Sequence, residues 1–121
     1  MGKIERFEDI EAWQEGCQLV ERIYEITTND AFARDLNLKD QIRRAAISIP
    51  SNIAEGYERG SKKELIHFLY IAKGSAGELR TQIHIAEKLR YLSRTECEEI
   101  SQHVQYISRL IANFIKYLKN S

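Results

Sequence analysis

The chain has 121 residues, of which 43% are hydrophobic and 30% charged, and its formal net charge is zero. This length fits one domain with a modest helical core, and the mixture is typical of a soluble globular protein. No run of about 18 uncharged apolar residues occurs, and the acidic start lacks the apolar segment of a secretion signal. We therefore expect a single cytoplasmic domain over residues 1–121, without a membrane span and with Cys17 and Cys97 reduced.

The charge is unevenly distributed along the chain. Residues 1–30 hold three basic and eight acidic side chains, and residues 31–121 hold fifteen basic and ten acidic ones. A balance of zero argues against a strong non-specific nucleic-acid binder, but it is compatible with a local basic patch.

The first predicted helix covers about residues 7–28. Its apolar residues recur at steps of three and four, the spacing of helices that pack side by side. They form a seam of Ile10, Trp13, Cys17, Val20 and Tyr24, with a second row of Leu19, Ile23 and Ile26 beside it. The segment TTNDAFARDLN then reads as a link, in which Asn37 is the expected N-cap of the next helix.

The second predicted helix, about residues 38–59, contains the only proline of the chain. Its seam consists of Leu38, Ile42, Ala45, Ile49 and Ile53. A proline inside a helix costs about 3 kcal/mol, because it removes one amide donor and clashes with the preceding turn. Helical spacing nevertheless continues on both sides, so we predict one helix kinked at Pro50. The alternative is a true break at residues 48–50, with Ser51 capping a new helix.

Two further helices are predicted at about residues 62–91 and 94–119. Gly60 suits a left-handed helix end, and the strings SKKE at Ser61–Glu64 and SRTE at Ser93–Glu96 are capping boxes. The seams are Leu65, Leu69, Ala72, Ala76, Leu79, Ile83 and Ala86 in the third helix, and Ile100, Val104, Ile107, Ile111, Phe114 and Leu118 in the fourth. Short links predict antiparallel neighbours, and hence an all-α, up-down-up-down four-helix bundle.

The apolar rows are wider than one bundle core requires. Such a surplus is typical of a subunit interface, so we predict a homo-oligomer. Two glycines in the middle of the third helix each lower helix stability by about 1 kcal/mol relative to alanine. This cost is tolerable where another backbone must approach closely. The predicted interface residues are Phe68, Ile71, Gly74, Gly77, Tyr106, Leu110 and Tyr117. A generous core face, with simple tolerance of the glycines, is the alternative interpretation.

The sequence offers little catalytic chemistry. The three histidines form no paired metal-binding motif, because Glu64-Leu-Ile-His67 occurs once and Glu64 is needed for the cap. No Gly-x-Ser-x-Gly motif, no phosphate-cradling glycine loop and no basic partner for a cysteine is present. We therefore predict a protein that is not an enzyme, with no catalytic residue, no metal and no cofactor.

A cluster of cations suggests a nucleic-acid surface. We predict that it contacts the phosphates of RNA or of a nucleoprotein partner. Its members are Arg43, Arg44, Arg59, Lys62 and Lys63. The same cations would also fit a solvated face on which they pair with Asp40, Glu55, Glu58 and Glu64. Exposed ion pairs of this kind contribute little to stability. The competing function is a protein-interaction scaffold whose apolar rows bind a partner helix without nucleic acid.

Several strings resemble a known family. FEDIEAWQEG (Phe7–Gly16) and the region from Gln41 to Leu92, above all IPSNIAEG at Ile49–Gly56, are similar to the 23S ribosomal RNA intervening-sequence proteins. The resemblance implies an all-helical bundle that associates as a ring, typically a pentamer. Some members are encoded inside segments that interrupt large-subunit ribosomal RNA genes. The accessory variability determinant proteins of diversity-generating retroelements are similar in fold, and those basic pentamers bind nucleic acid with a reverse transcriptase. The family pattern establishes no catalytic residue.

Overall fold

Helices account for all the regular secondary structure of the described part of the chain. The computed structural model describes residues 3–121, apart from the side chain of Asp30, so Met1 and Gly2 of the predicted domain lie outside it. The helices are α1 (Glu11–Ile26), α2 (Asp30–Arg34), α3 (Leu36–Glu58), α4 (Lys62–Lys88) and α5 (Arg94–Lys119), with a 3₁₀ turn at Phe7–Asp9. Over these residues no strand occurs, so the predicted all-α class is confirmed.

The four long helices α1, α3, α4 and α5 enclose the core. Helix α4 packs against α3 and α5, and α1 packs against the same two helices on the other side. The predicted seams of α3 and α4 are buried throughout, and the seam of α5 is buried except for Leu118, which is half-buried. One hydrophobic cluster therefore joins all four helices.

The core face of α1 differs from the predicted seam. Its buried residues are Ala12, Gly16, Leu19, Ile23 and Ile26. Trp13, Cys17 and Val20 are only half-buried, and Tyr24 is 39% exposed. A methyl group added to Gly16 would lie 3.2 Å from Cδ of Pro50. Because α1 approaches α3 through this small residue, it turns its second apolar row inward, and part of the supposed surplus surface becomes core.

The region before α3 also departs from the sequence prediction. The first helix does not run over residues 7–28, because Ile10 is extended and separates the 3₁₀ turn from α1. The supposed link contains α2, whose Phe32 is fully buried, with its ring centroid 5.3 Å from that of Tyr91. The N-cap of α3 is Asp35 rather than Asn37: its Oδ1 accepts the amide of Leu38 at 3.0 Å.

Helix α3 continues through Pro50 without interruption, so the alternative of a break at residues 48–50 is wrong. The buried pyrrolidine ring packs against α1 at Gly16. Asn52 Nδ2 donates to the carbonyl of Ser48 at 2.8 Å, and the hydroxyls of Ser48 and Ser75 lie 2.9 Å apart. These contacts hold the proline-containing turn against its neighbours on both sides.

The helix termini follow the sequence signals in most respects. Gly60 has a φ of +82°, the left-handed conformation expected at the end of α3. The Ser61 hydroxyl accepts the amide of Glu64, but only Ser93 and Glu96 form both hydrogen bonds of a capping box. The third predicted helix ends at Lys88 rather than at residue 91.

We expect Asp35→Ala to lower the free energy of unfolding by about 1–2 kcal/mol, the usual cost of losing an N-cap. Asp35 also accepts the Tyr91 hydroxyl at 3.0 Å, which ties the start of α3 to the segment after α4. Urea denaturation measures the loss. The matched control is Asn37→Ala, which we expect to change stability by less than about 0.5 kcal/mol because Asn37 is exposed. Equal losses in the two variants would contradict the assignment of Asp35 as the cap.

Candidate nucleic-acid interface

The five predicted phosphate-contacting cations do not form one patch. Arg43 and Arg44 lie in the first half of α3, whereas Arg59 is its C-cap and Lys62 and Lys63 begin α4. Arg43 and Arg59 are sixteen residues apart on one helix, which corresponds to about 24 Å at 1.5 Å per residue. The structure therefore divides the predicted cluster into two groups, one within the first half of α3 and one at its C-terminal end.

Arg43 is engaged inside the protein. Its side chain is half-buried, its Nε donates to Thr27 Oγ1 at 2.8 Å, and its guanidinium lies 4.1 Å from the centroid of the Tyr24 ring. Thr27 is itself buried and donates to the carbonyl of Ile23. Arg43 thus fastens the end of α1 to α3, and a phosphate would have to displace these contacts.

Arg44 faces solvent beside a carboxylate. It lines a surface groove between α3 and α4 together with Asn37, Gln41, Ala45, Ser48 and Glu78. The negative charge of Glu78 in the same groove disfavours a phosphate there, because like charges repel at short range.

The cations at the turn between α3 and α4 are exposed but partly neutralised. Arg59 Nη2 lies 2.8 Å from Glu55 Oε2, and its guanidinium is 5.1 Å from the centroid of the Phe68 ring. The hydrogen bond that Arg59 donates to the Glu55 carboxylate raises the pKa of Arg59 above its usual value. Lys62 Nζ donates to the carbonyl of Ser121, and Lys63 is exposed. This end of α3 offers one paired arginine and two lysines.

A more uniform cationic surface lies between α4 and α5. Lys73 and Arg80 of α4 face Arg109 of α5 across a groove that Gln105, Ser108 and Ala112 also line. A second depression shares Arg80 and Gln105 and adds Gly77, Thr81, His84 and Ser101. We call the two together the α4–α5 groove.

Among the residues that the structure describes, none that lines the α4–α5 groove carries a carboxylate. Lys73, Arg80 and Arg109 are exposed, and none of them takes part in an ion pair among the described residues. The sequence carries a signal for this surface, since residues 100–121 contain Arg109, Lys116 and Lys119 but no Asp or Glu. Clustering of cations along the chain does not reveal this surface, whereas the absence of acidic residues from the last 22 positions does.

The predicted interface residues fall on separate surfaces. Phe68 is half-buried against α3, where its Cβ would lie 2.6 Å from a methyl group on Gly56. Tyr106 is partly exposed and donates to Glu11 of α1. Leu110 lines an apolar pocket of about 300 Å³ under the N-terminal segment, and Tyr117 stacks on Phe114 near the end of α5.

Three exposed apolar residues do share one face of α4. Ile71, Ile85 and Leu89 are separated by fourteen and four residues, spacings that return to the same side of a helix. Gly74 lies near this face, and Gly77 lies toward α5. A methyl group added to either glycine would meet nothing within 4 Å. The two glycines therefore do not serve close packing inside this chain.

Other chemistry is sparse in the part of the chain that the structure describes. Residues 3–121 contain no group of three or more His, Cys, Asp or Glu side chains able to hold a metal ion. Burial, with Glu87 and Glu96 nearby, raises the pKa of the Cys97 thiol to about 11, and burial also raises that of Cys17. Thiols with raised pKa values are poor nucleophiles at neutral pH. No helix among the same residues is long and apolar enough to cross a bilayer.

Fold and surface together define an all-helical bundle protein whose most distinctive feature is a cationic surface groove. A family model described as the 23S rRNA-intervening sequence protein matches residues 8–113, and the chain belongs to that family. A crystal structure of a protein of unknown function from the S23 ribosomal protein family of Bacteroides thetaiotaomicron VPI-5482 has the same fold. Its TM-score is 0.81 at 24% identity, over 87% of this chain and 95% of the other. No curated protein matches the sequence.

Proposed function

We propose that this protein is a non-enzymatic, ring-forming bundle of the cytoplasm that binds RNA through exposed cations. The main observation behind the proposal is the α4–α5 groove, where Lys73, Arg80 and Arg109 face solvent and have no carboxylate partner among the described residues. Unpaired cations attract the phosphate backbone, and association of several copies multiplies the grooves on one particle. Membership of a family named for ribosomal RNA supports the choice of RNA as ligand.

Binding to RNA tests the proposal directly. We expect the purified protein to retain a structured RNA on a filter at about 50 mM salt. We also expect the logarithm of the binding constant to fall linearly with the logarithm of the salt concentration. Nuclease treatment of the RNA before mixing provides the control. Failure to retain any RNA at low salt would contradict the function.

Assembly into a ring is the second part of the proposal. The exposed face formed by Ile71, Ile85 and Leu89 supports it, because solvent-facing apolar rows favour association, and the resemblance to the family suggests a pentamer. Light scattering should give a mass about five times the 14.1 kDa of one chain. A monomer at micromolar concentration would contradict the ring but not the RNA binding.

The proposal includes an antiparallel, up-down-up-down order of the long helices and a kink at Pro50. Contacts between distant positions support the antiparallel order. The Tyr106 hydroxyl donates to Glu11, and His103 Nε2 lies 2.7 Å from Glu15 Oε1. Residue numbers in α5 therefore decrease along the contact as those in α1 increase. Asp35 at the start of α3 meets Tyr91 beyond the end of α4. A proline in a helix interior favours a kink.

The same exposed face of α4 favours a second candidate function, a scaffold that binds a partner protein. Apolar residues at helical spacing are what an amphipathic partner helix requires. A pulldown with and without nuclease distinguishes the two functions. Partners that persist after nuclease treatment support the scaffold, and partners that disappear support RNA binding.

A further inference from the structure

We infer that the α4–α5 groove binds base-paired RNA through its phosphate backbone, without reading the base sequence. The inference rests on the proposed function, because it names the class of RNA and the residues that contact it. It places the binding site away from the cations within α3 and at its C-terminal end.

The cations of the groove lie along both of its walls. Lys73 and Arg80 are seven residues apart on α4, which places them on nearly the same side of the helix and about 10 Å apart along its axis. Arg109 approaches from α5 and lines the same depression. A phosphate chain lying along the groove therefore meets positive charge from both walls.

The floor of the groove is formed by small and neutral polar residues. Gly77 and Ala112 carry little or no side chain, and space for at least a methyl group is open above Gly77. Ser101, Gln105 and Ser108 supply neutral hydroxyl and amide groups between the cations. Hydroxyls and amides of this kind hydrogen-bond phosphate oxygens and the 2′-hydroxyl groups that distinguish RNA from DNA.

The groove offers little of what single-stranded RNA requires, since the imidazole of His84 is the one aromatic ring among the described residues that line it. Proteins that bind single strands stack the exposed bases on aromatic side chains, and no Phe, Tyr or Trp lines this groove. Tyr70 lies one turn before Lys73 in α4, but its side chain already contacts Lys119. Its hydroxyl accepts a hydrogen bond from Lys119 Nζ at 2.8 Å, and that ammonium lies 5.1 Å from the centroid of the Tyr70 ring. A duplex stacks its bases inside and presents mainly phosphates and 2′-hydroxyl groups to a protein, and these are the groups that this surface fits.

Fluorescence anisotropy with a labelled 20-base-pair RNA duplex and one of its unpaired strands tests the inference on the full chain. We expect the duplex to bind more tightly than the single strand. The triple variant Lys73→Gln/Arg80→Gln/Arg109→Gln should weaken duplex binding at least about tenfold at low salt, and should reduce the salt slope by about three, roughly one for each lost contact. The matched control is Arg59→Gln/Lys62→Gln/Lys63→Gln, which removes the same charge elsewhere and should have less than about a threefold effect.

A second variant keeps the test independent of the triple substitution. Gln105→Glu preserves the shape of a residue that lines both depressions and adds a negative charge to the floor, so it should also weaken duplex binding. Gln102→Glu adds the same charge to the same helix outside the groove and serves as control. Circular dichroism and light scattering check that each variant retains its fold and mass.

The outcomes separate the inference from the proposed function. RNA binding that survives both groove variants would overturn the inference and leave the function standing. Preference for the single strand would overturn the assignment to base-paired RNA. Absence of binding to either RNA by the unmodified protein would remove the function and the inference together.

Discussion

Replacing Phe32 by alanine is expected to lower the free energy of unfolding by about 3–5 kcal/mol, the usual cost of deleting a buried phenylalanine. Phe32 is fully buried although it belongs to a helix of only five residues. Its ring packs against that of Tyr91, which is held in turn by Asp35. Loss of the ring leaves a cavity, and the five-residue helix α2 is too short to rearrange and fill it.

Urea denaturation followed by circular dichroism measures this loss. Leu36→Ala is the matched control, because Leu36 lies four residues later and is 63% exposed, so we expect a change within about 0.5 kcal/mol. If Phe32→Ala does not fold, Phe32→Leu provides the measurement, with an expected loss of less than about 1.5 kcal/mol. Phe32→Ala and Leu36→Ala with equal, small effects would contradict the buried position of Phe32.

Gly56→Ala is expected to lower the free energy of unfolding by about 1–3 kcal/mol, although alanine is the better helix former. An added methyl group would lie 2.6 Å from Cβ of Phe68 and 3.3 Å from Cα of Leu65. These atoms are attached to or part of the backbone of α4, so relief requires the two helices to separate. The cost of overpacking therefore exceeds the gain of about 1 kcal/mol in helix propensity.

Gly74→Ala is the matched control for this prediction. Gly74 is also helical, but its methyl group would meet nothing within 4 Å, so the substitution should raise stability by up to about 1 kcal/mol. A stabilising effect at Gly56 would contradict the close approach of α3 and α4. A reduced molecular mass of Gly74→Ala in light scattering would in addition place Gly74 in the proposed contact between subunits.

The functional surface was only partly accessible from the sequence. The sequence shows where the lysines and arginines are, but the side chains that pair with them come from residues far away along the chain. Arg43 is held by Thr27, and Arg44 shares its groove with Glu78, so neither is the free cation that local clustering suggested. The α4–α5 groove combines Arg80 with Arg109, which only the packing of two helices brings together.

The sequence by itself determined the helical class, the positions of the four long helices and the core faces of α3, α4 and α5. These features depend on local spacing, since a strong stripe at steps of three and four leaves one face to bury. Tertiary structure decided the rotation of α1, the burial of Phe32 and the pairing of the cations. In α1 two apolar rows compete, and the contact of Gly16 with Pro50 selects between them. Such choices depend on which surfaces meet, and the local pattern of a single segment does not contain that information.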